Sequence, residues 1–74
     1  MDMKCAKYTA IYAKTNTGYS AHVPDLPGCI ATGRTLELTK RRMREAAALH
    51  LQGMREDGES IPNPTTRADE IEAA

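Results

Sequence analysis

The segment GYSAHVPDLPGC, residues 18–29, decides the fold because it holds a strand and the corner that ends it. Between Tyr19 and Val23, side chains alternate between two faces and neither glycine nor proline interrupts them. Pro24 and Pro27 each fix φ and remove a hydrogen-bond donor, so the chain must leave the ladder of strand hydrogen bonds here. We therefore expect a rigid structural corner made of Pro24, Asp25, Leu26, Pro27 and Gly28.

Two further strands are predicted on either side of this segment. Residues 5–13 favour a strand because they include tyrosine, threonine and isoleucine. The turn-forming residues 15–18 then connect them to a second strand at 19–24, which gives an antiparallel hairpin. A short third strand is expected at 29–32, where Gly33 ends it. The sequence thus predicts a three-stranded antiparallel sheet.

The hydrophobic period changes from that of a strand to that of a helix at Thr35, which is a good N-cap residue. A helix is predicted near residues 36–57, ended by the glycine of Asp57-Gly58. Steps of about 100° per residue place one group of side chains towards the sheet, namely Met43, Ala46, Ala47, His50 and Met54. The same steps place Lys40, Arg44 and Gln52 towards water.

The chain after the helix contains two prolines, in Ser60–Thr65, and should be extended. It is expected to form a short fourth strand at the edge of the sheet. Residues 66–74 form an acidic C-terminal tail, either a short helix or disordered. The predicted fold is α+β with the order β-β-β-α-β, a domain over residues 1–65, and a single helix packed on one face of the sheet.

The size and composition of the chain favour self-association. Its 74 residues make one domain, and without Phe or Trp the core gains little apolar area per residue. Leu38 and Leu49 lie about three turns apart on the shoulder of the helix, with Arg42 between them. We expect a homodimer or homotetramer, with the sheet edge as a second possible contact. The candidate interface residues are Leu38, Lys40, Arg41, Arg42, Arg44 and Leu49.

Charge is distributed unevenly along the chain although the net charge is zero. Residues 1–44 carry eight Lys or Arg against three Asp or Glu, whereas residues 45–74 carry two against seven. Such polarity can steer a charged partner or favour contact between subunits. Neither a signal segment nor an apolar stretch of membrane-spanning length is apparent, and Cys5 and Cys29 do not suggest a disulfide framework. We expect a cytoplasmic protein without membrane contact.

The predicted strands argue against catalysis. They carry no Asp or Glu between Cys5 and Val23, so the converging carboxylates of a metal-dependent nuclease are missing. Zinc is disfavoured because Cys5, His22, Cys29 and His50 are not closely paired in sequence. The sequence therefore indicates a protein that is not an enzyme, with no catalytic residue, metal or cofactor. The basic cluster of the helix leaves contact with RNA or an acidic partner open.

The run GYSAHVPDLPGC is similar to the signature of the HicB-family antitoxins, in which such a segment leads through a short strand into a long helix. The resemblance extends over roughly residues 8–64. Further matching segments are Gly33–Glu37, Glu45-Ala46, His50–Met54 and Asp57–Pro64. Thr39 and the basic Lys40–Arg42 depart from the family pattern, as does the turn Thr15–Thr17.

The resemblance implies a partial RNase H-like fold and a specific function. HicB-family proteins bind HicA, a small ribonuclease that cuts mRNA, so this chain would bind a HicA-like toxin protein and occlude it. Many HicB proteins also carry a DNA-binding domain, for which these 74 residues leave no room, so no direct DNA binding is expected. The alternative is an orphan oligomeric scaffold or regulatory module that has no toxin partner.

Overall fold

A computed structural model describes residues 7–73 and contains three strands followed by one helix. The strands are β1 (Ile11–Lys14), β2 (Tyr19–His22) and β3 (Ile30–Gly33), and the helix is α1 (Leu36–Glu56). Each strand pairs antiparallel with the next, so the sheet order is β1-β2-β3. The predicted α+β fold, with a three-stranded antiparallel sheet and one packed helix, is confirmed.

The strands are shorter than predicted, and β1 differs most. It begins at Ile11, whereas the sequence predicts a strand from residue 5, of which residues 5 and 6 lie outside the described part of the chain. Just before β1, the Tyr8 hydroxyl donates to the Pro62 carbonyl and the Thr9 hydroxyl donates to the Thr66 carbonyl at 2.8 Å. These two side chains therefore bind the segment that follows the helix.

The strand register divides the side chains of the sheet into two faces. Tyr12 lies opposite Ala21, and Ala21 lies opposite Ala31, so these three residues form one row across the sheet. Ala21 is buried and the other two pack against the core, which identifies this row as the side that α1 covers. Because side chains alternate along a strand, the neighbouring row of Ile11, His22 and Ile30 points away from the helix.

The core lies between the sheet, the corner and α1. Its buried apolar residues are Ala21, Val23, Leu26, Cys29 and Met43. The predicted sheet-facing side of the helix is confirmed, since Ala46, Ala47 and Met54 pack against this core and His50 is half-buried. The side chains predicted to face water, Lys40, Arg44 and Gln52, are exposed.

Both ends of α1 have the expected caps. The Thr35 hydroxyl accepts from the Leu38 N–H at 3.1 Å, which satisfies one of the free donors of the first turn. At the other end Gly58 has a φ of 73°, a left-handed conformation that glycine adopts without strain. The Glu59 N–H then donates to the Met54 carbonyl at 2.8 Å. These contacts explain why the helix stops within one residue of its predicted end.

The predicted fourth strand does not form: residues 59–73 contain no strand or helix. Pro62 and Pro64 have no N–H to give to a neighbouring strand. The N–H groups of Thr65 and Thr66 instead donate to the Asp25 carboxylate, at 2.8 and 3.0 Å. The segment is extended as predicted, but a side chain satisfies its donors in place of a strand backbone.

Candidate protein-binding surfaces

The corner between β2 and β3 is a closed set of backbone hydrogen bonds. The Leu26 N–H donates to the Val23 carbonyl and the Cys29 N–H donates to the Leu26 carbonyl, both at 3.0 Å. The Val23 N–H in turn donates to the Cys29 carbonyl at 3.1 Å. Leu26 is fully buried, and Gly28 has a φ of 85° that few other residues would adopt. In the structure the segment is compact and turns the chain, as its two prolines predict.

Asp25 in this corner holds the C-terminal segment. Its carboxylate accepts from the N–H and the hydroxyl of both Thr65 and Thr66, at distances of 2.8 to 3.0 Å. The hydrogen bond from the Thr66 N–H is the largest cause of a pKa that is lowered to about 2, because each of these donors favours the charged carboxylate. We call these contacts the Asp25 clasp; they join the corner to residues about forty positions further along the chain.

The sequence places Asp25 in the corner, but it does not indicate which groups its carboxylate binds. The only local signal is that two adjacent threonines, Thr65 and Thr66, follow Pro64 and can each offer two donors. Nothing in the spacing indicates which acceptor they bind. The Asp25 clasp also crosses the expected boundary between the domain and its tail, since Thr65 and Thr66 lie on either side of that boundary.

The structure separates the candidate interface residues of α1 into two groups. Arg42 points to the sheet: its Nη1 donates to the Thr32 carbonyl in β3 at 3.0 Å. Leu38 is half-buried, and a Cβ added to Gly33 would lie 3.3 Å from its Cγ. Leu38 and Arg42 therefore lie beside β3.

The other basic side chains occupy the solvent-facing side of the helix. Lys40, Arg41 and Arg44 line an open hollow near the start of α1, together with Thr35, Glu37 and Leu38, so Leu38 borders both groups. The four charged side chains are exposed, so they present charge to water or to a partner without support from the sheet. Arg42 does not join this group, because it lies at the β3 side.

Leu49 lies beside the corner, near the C-terminal end of α1. Its side chain is 69% exposed. It lines an open hollow of about 580 Å³ whose other lining residues are Pro27, His50, Gly53, Met54, Asp57 and Glu59. We call this the corner hollow; its floor is apolar and its rim carries the carboxylates of Asp57 and Glu59. The helical period indicates that Leu49 is exposed, but it does not indicate the corner hollow, because Pro27 is 22 positions away in the sequence.

Several chemical features of the described residues bear on what the surfaces do. Within residues 7–73, no three His, Cys, Asp or Glu side chains converge into a possible metal site. Burial raises the pKa of the Cys29 thiol, which favours the form that is less reactive as a nucleophile. In the same part of the chain, α1 is too polar to serve as a membrane-spanning helix. What these surfaces offer is a set of charged, apolar and backbone groups suited to contact with another macromolecule.

Comparison with known proteins identifies the family. Residues 8–74 match the family described as HicB_like antitoxin of bacterial toxin-antitoxin system. An uncharacterized 14.9 kDa protein from the rep-hol intergenic region of Haemophilus phage HP1 is 42% identical over 55 residues. That match covers 74% of this chain and 41% of the phage protein, so the chain spans less than half of that relative. The UPF0150 protein Ta0767 of Thermoplasma acidophilum is 35% identical over 57 residues, covering 76% of this chain and 83% of that protein.

A solved structure shares the fold. A chain of the structure titled HicA3 and HicB3 toxin-antitoxin complex superposes with a TM-score of 0.69 at 28% sequence identity. The superposition covers 81% of this chain and 70% of that chain. The fold and sequence define an α+β domain of the kind found in a toxin-antitoxin complex. It belongs to the HicB_like antitoxin family, as the GYSAHVPDLPGC segment predicts.

Proposed function

We propose that this protein binds a HicA-type toxin and blocks mRNA cleavage by covering the toxin's active site, without being an enzyme itself. The observation that carries the proposal is the similarity of its backbone, over 81% of the chain, to a chain from a toxin-antitoxin complex. Occlusion needs only a rigid surface of complementary shape and charge. It requires no catalytic group on the antitoxin, in keeping with the carboxylate-free strands β1 to β3.

We propose that the corner hollow is the part that contacts the toxin. A ribonuclease must attract the phosphates of RNA, so its active-site surface is basic. The rim residues Asp57 and Glu59 offer carboxylates to such a surface, and Met54 offers an apolar floor. The opposite end of α1 is less suitable because Lys40, Arg41 and Arg44 there would repel a basic partner.

The experiment first looks beside this protein's gene for one that encodes a small basic chain with a candidate catalytic histidine, and uses its product as the toxin; the absence of such a gene favours the orphan scaffold. The purified toxin should cleave an mRNA, and one equivalent of this protein should abolish cleavage and form a complex on size-exclusion chromatography. If no complex forms at micromolar concentrations and cleavage continues, the proposed function is wrong. The alternative of an orphan oligomeric scaffold, which the exposed Leu49 would equally suit, then takes its place.

The docking surface is tested with a pair of charge-matched variants. Asp57→Arg combined with Glu59→Arg should weaken toxin binding at least about tenfold, because like charges would then face each other. Asp69→Arg combined with Glu70→Arg changes the net charge by the same amount in the exposed tail. This control should bind the toxin within about threefold of the wild type, as expected for charges outside the contact. Equal weakening by both variants would show that overall charge, and not the corner hollow, governs binding.

Self-association is a separate part of the proposal. We propose that the protein forms a homodimer or a homotetramer, since the buried core within residues 7–73 has five apolar residues, and Leu49 and Ile30 remain 69% and 67% exposed. Light scattering of the isolated protein at micromolar concentration measures this directly. A monomer mass would exclude self-association but would leave toxin binding untouched.

A further inference from the structure

Within residues 7–73, no strand pairs with the outer edge of β3, so this edge can accept another strand. Because the Val23 N–H donates to the Cys29 carbonyl, Cys29 points this carbonyl towards β2, while its N–H donates to the Leu26 carbonyl within the corner. Hydrogen-bonding directions alternate along an antiparallel strand, so Ala31 and Gly33 also point to β2, while Ile30 and Thr32 point away. The Thr32 carbonyl, which accepts from Arg42 instead of from β2, agrees with this direction. The backbone groups of Ile30 and Thr32 thus form the outer edge of the sheet.

One flank of α1 runs along this edge. Leu38 lies at Gly33, Arg42 reaches Thr32, and Leu49 lies beside Pro27, so the helix runs in the opposite direction to β3. Residues Leu38, Arg42, Glu45 and Leu49 are spaced by four, three and four positions, which is the spacing of a coiled-coil seam. Sequence reasoning treated the leucine line and the sheet edge as two separate possible contacts. In the structure they are adjacent, and we call them together the β3-edge surface.

The flank of the helix is complementary to itself. When two copies of α1 lie antiparallel, Leu38 of one copy can meet Leu49 of the other. The same alignment places Arg42 against Glu45, because both pairs share a midpoint between positions 43 and 44. Two apolar contacts flank two contacts of opposite charge, and Arg42, Glu45 and Leu49 are all exposed in the single chain. This pattern specifies a second copy of the chain as the partner.

The edge of β3 has its own two-fold centre at Ala31, since Ile30 and Thr32 lie symmetrically on either side of it. Ala31 is two residues, or about 6.6 Å, from Gly33. Leu38 and Thr39 lie over Gly33. A distance of about 6.6 Å along the helix axis corresponds to about four and a half residues, so the point of α1 that lies over Ala31 is near position 43. A single two-fold axis can therefore pass through the centre of the strand edge and the centre of the helix flank.

The spacing between helices also fits this arrangement. α1 contacts both β3 and β2, and adjacent strands lie about 4.8 Å apart. If each helix lies above the midline of its β2–β3 pair, joining two β3 edges places the helix axes about 10 Å apart. This is close to the usual 8–10 Å for packed helices.

We infer that two copies of this chain associate through the β3-edge surface, pairing β3 antiparallel with its copy to give one six-stranded sheet covered by two antiparallel helices. Ile30 of each copy exchanges backbone hydrogen bonds with Thr32 of the other, and Arg42 turns from the Thr32 carbonyl to Glu45 of the second copy. The inference rests on the proposed self-association and adds its interface. Leu49, which lines the corner hollow, then packs against the second copy, whereas Asp57 and Glu59 lie past the end of the paired helices and remain available to a toxin.

The test exchanges the charges of the helix flank, with mass measured by light scattering and folding by circular dichroism. Because position 42 of each copy faces position 45 of the other, Arg42→Glu alone or Glu45→Arg alone creates two contacts between like charges in the dimer. Each substitution should raise the dimer dissociation constant at least about tenfold. A mixture of these two variants should form a one-to-one heterodimer, because each chain then carries the charges that the other lacks. The double variant Arg42→Glu with Glu45→Arg should dimerise like the wild type.

The strand edge is tested with a matched pair of proline substitutions. Thr32→Pro removes an N–H from the outer edge of β3, which a single folded chain tolerates because that N–H has no strand partner. It should give a folded monomer. Lys14→Pro is the control: the Thr15 N–H donates to the Gly18 carbonyl, so the Lys14 N–H points to the outer edge of β1 and the dimer should persist.

The outcomes separate this inference from the proposals on which it rests. A wild-type monomer would overturn both self-association and the β3-edge interface. A dimer that persists in Arg42→Glu and in Thr32→Pro would keep self-association and overturn the interface, as would a mixture of charge variants that stays monomeric. Toxin binding, measured separately, is decided by none of these results.

Discussion

The two edges of the sheet differ in what the rest of the chain places against them. Next to β1, the segment after the helix is bound by Tyr8 and Thr9, and the Asp25 clasp holds it there. Lys14 adds a charge at the end of the strand, a common guard against unwanted pairing. Beside β3, the Arg42 side chain binds the Thr32 carbonyl, the one such contact to this edge within residues 7–73, and the strand sequence IATG carries no charge.

This difference shows that whether a strand edge is covered depends on side chains distant in sequence as much as on the residues of the strand. Polar contacts between residues forty or more positions apart hold the segment next to β1, whereas among residues 7–73 the β3 edge is contacted by Arg42 from the helix that follows it. Three substitutions test this difference: one in the core beneath both edges, one where the β1–β2 turn meets the end of β3, and one in the Asp25 clasp.

The largest effect is expected from Met43→Asp, because Met43 is buried beneath the sheet that carries both edges. A carboxylate there would lack a partner, so the free energy of unfolding should fall by about 3 kcal/mol. Urea denaturation measures the change. Arg44→Asp is the control. Because the Arg44 side chain, next to Met43 in sequence, is exposed, the free energy of unfolding should change by no more than about 0.5 kcal/mol. Equal losses in both variants would contradict the assignment of the buried face.

A smaller effect is expected where the β1–β2 turn meets the end of β3. A Cβ on Gly18 would fall on the Gly33 carbonyl oxygen and lie 2.8 Å from the Arg34 Cα, so backbone must move. Gly18→Ala should lower the free energy of unfolding by about 2 kcal/mol. Gly53→Ala is the control because its Cβ meets nothing within 4 Å, and alanine should stabilise the helix there by about 0.8 kcal/mol. A neutral Gly18→Ala would mean that the two segments are further apart.

The most local effect is expected from Asp25→Asn, which weakens the clasp on the β1 side without touching the β3 edge. The folded pKa of Asp25 is lowered to about 2 from the ordinary 3.8 of an aspartate carboxyl, so the charged clasp stabilises the fold above pH 4. That contribution should be lost as the pH falls from about 4 to 2. Amide exchange at Thr65 and Thr66 should therefore be faster in the variant at pH 5 and should match the wild type near pH 2.

One outcome of the exchange measurement would contradict this role of Asp25. If exchange at Thr65 and Thr66 is equally slow in both proteins at pH 5, the carboxylate does not hold this segment. Ile30 and Thr32, on the far edge, serve as internal controls, and their exchange should be the same in both proteins.

Much of the fold was predictable because it depends on local periodicity. The change from alternating side chains to a helical period at Thr35 located α1 to within one residue at its end, and the prolines of the corner located the end of β2. The apolar arc of the helix also identified Met43 as a core residue. Each of these features is determined by residues that lie within a few positions of it in the sequence.

The candidate surfaces were predictable only as lists of residues. The helical period placed Leu38, Arg42 and Leu49 on one line but gave no information about what lies beside that line. The fourth strand was wrong because a local pattern of prolines cannot show that Asp25 accepts the available N–H groups. Contacts between distant segments depend on how the elements pack.

The sequence by itself determined the sheet, the corner, the helix and the antitoxin family, since short-range patterns and an ordered motif of twelve residues encode them. Only the tertiary structure decided that Asp25 holds the C-terminal segment, that Arg42 binds β3 apart from the basic cluster, and that the leucine flank lies on the β3 side of the sheet. The physical reason is that hydrogen-bonding groups are satisfied by whichever partner the fold brings within about 3 Å, regardless of their separation along the chain.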